Sequence, residues 1–123
     1  EGEEHLSINA MLTKITTFAK AHDVHVWFVA HPTKVYPNEK GEYPVVGGNH
    51  ISGSAAWFAK ADVGITVHRS EQSTDIHCWK MRFKWLGKQG AVPLSYDVVN
   101  GRYSNYVDTT LQAVPTGHWS DDF

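Results

Sequence analysis

This sequence of 123 residues has a single cysteine, nearly balanced positive and negative charge, and no long apolar run. The one cysteine, Cys78, has no second cysteine with which to form an internal disulfide, which indicates a reducing compartment. No apolar run approaches the ~18 residues that a membrane-spanning helix needs. The formal net charge of −2 gives no overall attraction to nucleic acid, so contact with DNA or RNA needs a local cationic patch. At 41% hydrophobic and 20% charged residues, the composition excludes a collagen, a coiled coil and a disordered tail.

Several signatures of nucleotide and metal chemistry are also missing. The sequence has no GxxxxGK[ST] loop to cradle phosphates, and no apolar run that ends in an acidic residue to hold Mg²⁺. By itself it therefore cannot bind a nucleoside triphosphate in the P-loop manner. Eight histidines are present, but without HExxH, paired CxxC or a carboxylate cluster we predict no metal site. The first residue is Glu1 rather than Met, and we expect the chain to be a piece of a longer protein.

The first half of the chain has the pattern of one α/β unit. Residues 7–22 place apolar side chains at helical spacing on one face, which predicts an amphipathic helix. Residues 24–30 are apolar on both faces, which is typical of a central strand covered by helices. Residues 33–49 contain Pro and Gly-Gly breaks and predict a long surface loop. A short helix over 55–61 follows, with a serine as its N-cap.

The second half predicts antiparallel strands. Three segments alternate in polarity like half-buried strands: 62–69, 76–83 and 91–96. Asn100-Gly101 marks a further hairpin, and Pro93 favours an edge position for the third strand because it lacks a backbone N–H. Together with the helix–strand unit, this order predicts an α/β fold in which a parallel sheet is continued by antiparallel edge strands. Periodicity fades after these strands, and we assign residues 104–123 to a tail.

His31 ends the predicted central strand, at the carboxyl edge of a parallel sheet, where α/β proteins bind their ligands. A neutral imidazole there can donate one hydrogen bond to a phosphate oxygen and so sense whether the phosphate is present. A histidine at a strand end can equally serve to cap the following loop. The pattern leaves both roles open.

Lys80 and Arg82 are two residues apart on a predicted strand and therefore lie on the same face. Two neighbouring cations repel each other unless an anion or a carboxylate lies between them. One interpretation is that both side chains are solvated charges that protect an edge strand from pairing with other chains. The other is that they bind a phosphate, to which Arg offers a planar set of donors and Lys a point charge. Lys84 and Lys88 extend the pair into the local positive patch that the net charge does not supply.

A Gly/Ser-rich segment precedes the second predicted helix. Its backbone amides can form a concave site for phosphate, since N–H groups at a helix start point toward the ligand. Loops of this composition are common, so the segment alone does not identify a ligand. The candidate residues are Asn49, His50, Ile51, Ser52, Gly53 and Ser54.

In combination these segments resemble the C-terminal half of the RecA-like motor domain, a P-loop NTPase fold, of hexameric replicative DNA helicases. The resemblance is to the Twinkle and phage primase-helicase type, which is related to the DnaB-like helicases. It implies a partial RecA-like domain over residues 1–103, without the Walker A and Walker B elements that the family carries upstream. The matching segments are VHVWFVAHPTK at 24–34, YPV at 43–45, ISGSAAWFAKAD at 51–62, KMRFK at 80–84 and GRY at 101–103.

The resemblance implies a role for each candidate residue. His31 matches the γ-phosphate sensor at the end of the strand that follows the Walker B strand. Lys80 and Arg82 match the Lys-x-Arg pair that reaches into the neighbouring subunit's ATP site. Arg82 would be the arginine finger, which in such motors is worth on the order of 10³–10⁵ in rate. Residues 49–54 match the central-channel loop that tracks the phosphates of single-stranded DNA.

For the full-length protein the resemblance implies ATP-dependent, 5′-to-3′ unwinding of DNA in replication by a homo-hexamer. ATP and Mg²⁺ would bind between subunits, single-stranded DNA would lie in the channel, and no membrane is involved. The chain alone is expected to bind neither cofactor and to hydrolyse no ATP. The implied location is the cytoplasm of a bacterial or phage-infected cell.

Two other functions stay open from the sequence. RecA-like ATPases also serve recombination or signalling without unwinding DNA, and unwinding of a duplex separates them from helicases. A stand-alone, catalytically inactive module that binds single-stranded DNA would fit the same loop and cations. A start codon immediately before Glu1 would favour that second alternative.

Overall fold

The computed structural model describes residues 2–107, which form one long helix, one short helix and a four-stranded sheet. The elements are α1 Gly2–His22, α2 Ser54–Lys60, β1 Val63–Arg69, β2 Thr74–Met81, β3 Gly90–Asp97 and β4 Arg102–Asn105. A 3₁₀ turn at Gly48–His50 precedes α2. The strand order is β1-β2-β3-β4, and every neighbouring pair is antiparallel. Within residues 2–107, no helix is long and apolar enough to span a membrane.

Helix α1 contains the predicted segment 7–22 and begins earlier, at Gly2. The backbone fixes its end. Asp23 takes the left-handed conformation, with φ 51°, and the Val24 N–H donates to the Ala19 carbonyl at 3.1 Å. That hydrogen bond closes the last turn and stops the helix. The helix prediction is therefore confirmed, with its start moved toward the N-terminus.

Residues 24–30, which the sequence predicts as a central strand, have no regular secondary structure. Trp27 is 77% and Val29 is 85% exposed, although the run is apolar. A strand needs a neighbour for its backbone hydrogen bonds, and none of the four described strands pairs with this run. The strand prediction thus differs from the structure. The parallel part of the expected α/β fold stays a prediction, and the loop predicted over 33–49 is confirmed up to the 3₁₀ turn.

The strand predictions in the second half are confirmed as β1, β2 and β3, with boundaries shifted by a few residues. Gly101, with φ 70°, lies in the turn between β3 and β4, as the Asn-Gly pair predicts. β3 is an interior strand, yet β4 pairs only with its residues 94–97, so Pro93 has a neighbouring strand on one side only. Residues 104–105 of the predicted tail belong to β4, and residues 108–123 lie outside the described residues.

A β-bulge interrupts the pairing of β1 with β2. Gly64 pairs with Lys80 and Ile65 pairs with Cys78, so Trp79 is an extra residue in β2. A bulge bends its strand and redirects side chains that would otherwise alternate between the two faces. Trp79 and its neighbour Lys80 consequently contact the same residue of α2.

The Trp79 indole fills a slot between the sheet and the 3₁₀ turn. A Cβ atom at Gly48 would lie 2.6 Å from this ring and one at Gly64 would lie 2.4 Å from it, so both positions require glycine. The ring stacks on Phe58 with 5.8 Å between centroids. Its Nε1–H donates to the Thr66 hydroxyl at 3.1 Å, and that hydroxyl donates to a carbonyl of the preceding loop. Trp79 therefore joins the loop, β1 and α2 into the unit that carries the candidate site.

Candidate functional site

A group of charged side chains lies where α2 ends and β1 begins. Arg82 follows β2 directly, and the pairing of Val63 with Met81 brings it beside Asp62. The Arg82 Nη1 is 2.6 Å from the Asp62 Oδ1, and the Arg82 Nη2 donates to the Ala59 carbonyl at 2.6 Å. The backbone N–H of Arg82 also donates to the Asp62 carbonyl, at 2.9 Å. Side chain and backbone thus fix Arg82 at the end of α2.

Lys80 reaches the same end of α2 from β2. Its Nζ donates to the Phe58 carbonyl and lies 3.5 Å from the Ala59 carbonyl. The Nζ is also 5.2 Å from the centroid of the Phe58 ring. Carbonyls in the last turn of a helix carry partial negative charge, which favours cations there. The shared contact with Ala59 agrees with the prediction that Lys80 and Arg82 lie on one face.

The surroundings of Lys80 disfavour its charged form. Burial lowers the pKa of Lys80 below its usual 10.5, and the neighbouring Arg82 charge lowers that pKa further. The Asp62 carboxylate acts in the opposite direction and raises the pKa. Asp62 thus supplies the carboxylate that two adjacent cations need in order to lie close together.

The predicted DNA loop, residues 49–54, connects the 3₁₀ turn to α2. The Gly47 N–H donates to the His50 Nδ1 at 3.0 Å, which turns the imidazole back onto the loop. His50 and Ile51 are half-buried, whereas Asn49 is exposed. The first part of the loop is therefore ordered by its own contacts and presents Asn49 to solvent.

The second part of the loop is fastened to both helices. The Ser52 hydroxyl donates to the Glu4 carboxylate at 2.6 Å, and the Ser52 carbonyl accepts from the Trp57 Nε1 at 2.9 Å. Gly53 is the N-cap of α2, with φ 77°, so the predicted serine cap is wrong. The left-handed backbone favours glycine at this position, because a Cβ atom would be strained there, and a Cβ atom would also displace the terminal methyl of Ile8, which lies 2.6 Å away.

His31 is exposed in the irregular segment after residues 24–30. Thr33, two residues further on, donates to the His50 carbonyl from both its backbone N–H and its hydroxyl, at 2.5 and 2.9 Å. The segment of the predicted phosphate sensor is thus attached to the predicted DNA loop. Among the described side chains, no hydrogen bond or ion pair connects His31 or residues 49–53 to Lys80 or Arg82. The structure therefore brings the candidates together as two separate groups.

The remaining lysines of the predicted patch, Lys84 and Lys88, are exposed in the connection between β2 and β3. An open cleft of about 470 Å³ lies nearby, between the loop before the 3₁₀ turn and strands β2 and β3. His77 lines this cleft, and its Nε2 is buried without a hydrogen-bond partner in the described part of the chain. No group of three His, Cys, Asp or Glu side chains within residues 2–107 is placed to hold a metal ion.

Three residues that the sequence did not single out organise these groups: Asp62, Thr33 and Trp79. A signal existed for Trp79, since a glycine such as Gly64 inside a strand indicates the close approach of another group. No comparable signal identifies Asp62 as the partner of Arg82, because that pairing depends on the register between β1 and β2.

Comparison with known proteins adds one relative. No family model matches this chain. The Twinkle homolog protein, chloroplastic/mitochondrial, of Arabidopsis thaliana is 38% identical in an alignment 105 residues long that covers 80% of this chain. The chain spans 14% of the length of that protein. It is therefore similar to one segment of a Twinkle homolog, which supports a Twinkle-like, helicase-related piece.

Proposed function

We propose that this chain is the C-terminal half of a RecA-like motor domain in an ATP-dependent replicative DNA helicase that works as a homo-hexamer. The similarity to a segment of a Twinkle homolog supports the helicase assignment. The observation that carries the proposal is the convergence of Lys80 and Arg82 at the end of α2, beside Asp62. The cytoplasmic location stays a prediction, since the name of the relative refers to chloroplasts and mitochondria.

In this proposal Arg82 is the arginine finger and Lys80 its partner. The substrate is ATP with Mg²⁺, held mainly by elements outside this chain and completed by Arg82 from the neighbouring subunit. The planar guanidinium offers several N–H donors to the oxygens of the transferring phosphoryl group and stabilises the charge that develops there. The Arg82 side chain is 40% exposed, which supports access of a phosphate to the donors that Asp62 and Ala59 leave unused.

The second group of residues is proposed to couple nucleotide to DNA. Residues 49–54 contact the phosphates of single-stranded DNA, and His31 senses the γ-phosphate. Backbone contacts of this kind do not depend on base sequence, which suits a translocating motor. The two hydrogen bonds from Thr33 to the His50 carbonyl support this coupling, because a shift of the His31 segment would displace the loop.

Replacing Arg82 by Ala in the full-length protein tests the proposal. We expect ATP turnover stimulated by single-stranded DNA to fall by about 10³-fold or more, because the charge of the transition state loses its stabilising cation. Binding of ATP should change little, since most nucleotide contacts lie outside the finger. The measurement combines steady-state ATPase rates, with and without single-stranded DNA, and equilibrium binding of a fluorescent ATP analogue.

Arg102→Ala is the matched control, because Arg102 is an exposed arginine on β4 and not part of the group at α2. It should leave turnover unchanged. Wild-type ATP turnover in the Arg82→Ala variant would show that Arg82 is not the arginine finger. Separation of a forked duplex by the wild-type protein distinguishes a helicase from a RecA-like ATPase of recombination or signalling, which would hydrolyse ATP without separating the strands.

A further inference from the structure

We propose that Asp62 is a positioning residue that orients the Arg82 guanidinium for ATP hydrolysis in the neighbouring subunit. This inference rests on the proposed function, since it assigns Asp62 a task only if Arg82 acts as a finger. Asp62 itself touches no substrate in this proposal. It acts through the side chain that it holds.

The backbone places Asp62 and Arg82 side by side. Asp62 immediately precedes β1 and Arg82 immediately follows β2, and the two strands pair up to Val63 and Met81. The hydrogen bond from the Arg82 N–H to the Asp62 carbonyl, at 2.9 Å, continues that pairing by one step. The relative position of the two side chains is therefore set by strand register rather than by a chance meeting of long surface side chains.

Two further contacts fix the direction of the guanidinium. The Asp62 Oδ1 is 2.6 Å from Nη1, and the Ala59 carbonyl accepts from Nη2 at 2.6 Å. Two acceptors on different terminal nitrogens determine the plane of the group, because its donors form a rigid fork. These two contacts use two of the five N–H donors of the guanidinium. A guanidinium oriented before the phosphate arrives loses less conformational freedom when it binds.

The pair is too exposed to serve mainly as a source of fold stability. The Arg82 side chain is 40% exposed and that of Asp62 is 52% exposed. Ion pairs at that exposure are weakened by solvent and salt. Removing the Asp62 charge should therefore affect the orientation of Arg82 more than the folding of the chain.

The test compares Asp62→Asn, Asp62→Glu, Arg82→Ala and the Asp62→Asn/Arg82→Ala double variant in the full-length protein. We expect Asp62→Asn to lower the kcat of DNA-stimulated ATP hydrolysis about tenfold while the KM for ATP stays unchanged. Asp62→Glu should recover most of the activity, because it restores the carboxylate. In the Arg82→Ala background, Asp62→Asn should have no further effect, since the side chain that it orients is gone.

The control is Glu71→Gln, which removes an exposed carboxylate from the turn between β1 and β2, away from α2. Normal kcat in Asp62→Asn, together with a collapse in Arg82→Ala, would overturn the inference and leave the proposed function standing. A higher kcat in Asp62→Asn would also overturn it, because Asp62 would then restrain the finger. An equal loss in the Arg82→Ala background would mean a structural role and overturn it as well. If Arg82→Ala keeps full activity, Arg82 is not an arginine finger, and the proposed function fails together with the inference that rests on it.

Discussion

Lys80 binds its proton less tightly in the folded chain than in the unfolded one, because burial and the Arg82 charge disfavour the ammonium form. A lysine with a lowered pKa reduces the free energy of unfolding while the folded state must carry the disfavoured charge. This reduction in the free energy of unfolding is complete at pH values below the pKa of Lys80 in the folded chain. It disappears as the pH rises to 10.5, the usual pKa of a lysine. Between these two values, the contribution of Lys80 to stability therefore increases with pH.

The two neighbours of Lys80 should shift its pKa in opposite directions when they are replaced. Asp62→Asn should lower the pKa of Lys80 further, because it removes the carboxylate that raises it. Arg82→Gln should raise the pKa, because it removes a repelling charge. NMR titration of the Lys80 side chain in each variant measures both shifts, with Glu71→Gln as a control that leaves the titration unchanged. Movement of both variants in the same direction would contradict the arrangement of charges at α2.

Strand alternation predicts that Lys80 and Arg82 share a face, and both do contact the end of α2. The same alternation cannot predict that Asp62 faces Arg82, since this depends on which residues of two distant strands pair. It also cannot predict that the segment after His31 is attached to residues 49–54, because that attachment depends on the hydrogen bonds from Thr33 to the His50 carbonyl. The sequence therefore predicted on which face of an element a residue lies, but it did not predict which other residues it contacts.

Among the elements, α1, β1, β2 and β3 were predictable, because helical spacing and strand alternation can be recognised in the sequence itself. Gly64 inside a strand signals the close approach of another group, but it does not identify Trp79 as that group or locate the bulge, because both depend on the register between β1 and β2. The N-cap of α2 was also mispredicted, since the position needs the left-handed conformation of Gly53 more than a serine hydroxyl.

The connection between the His31 segment and the predicted DNA loop leads to a prediction for Thr33. Thr33→Val keeps the β-branched shape and the backbone N–H but loses the hydroxyl bond to the His50 carbonyl. One such hydrogen bond contributes about 0.5–1.5 kcal/mol, so single-stranded DNA should bind about 2–10-fold more weakly in the ATP-bound state. Affinity in the presence of ADP should change less if His31 is the sensor that we propose, because ADP has no γ-phosphate for it to contact. The measurement is fluorescence anisotropy of labelled DNA with ADP or a non-hydrolysable ATP analogue.

Thr33→Ser is the matched variant for this experiment, since it retains the hydroxyl that donates to the His50 carbonyl. It should bind DNA as the wild-type protein does in both nucleotide states. Equal weakening with ADP and with the ATP analogue in Thr33→Val would show that Thr33 supports the loop without coupling it to nucleotide.

On the scale of the whole molecule, much apolar surface is exposed. Leu12 is the one large hydrophobic residue that is buried within residues 2–107, whereas Trp27 and Val29 are 77% and 85% exposed. Large exposed apolar patches mark surfaces that other parts of a protein or other subunits cover. A run that is apolar on both faces, as 24–30 is, needs neighbours on both sides. We therefore expect this run to pair and become covered in the full-length protein, as the parallel α/β fold requires.

Hydrogen exchange measures this pairing directly. In the 123-residue chain alone, the amides of residues 25–30 should exchange rapidly, because no described strand accepts their hydrogen bonds. In the full-length protein the same amides should be strongly protected, since a central strand has a neighbour on each side and the two neighbours together accept hydrogen bonds from all of them. Peptides that cover β2, which is already paired on both sides over part of its length, provide the internal reference in both proteins. If residues 25–30 exchange in the full-length protein as fast as they do in the isolated chain, they are not a central strand and the RecA-like assignment of this half fails.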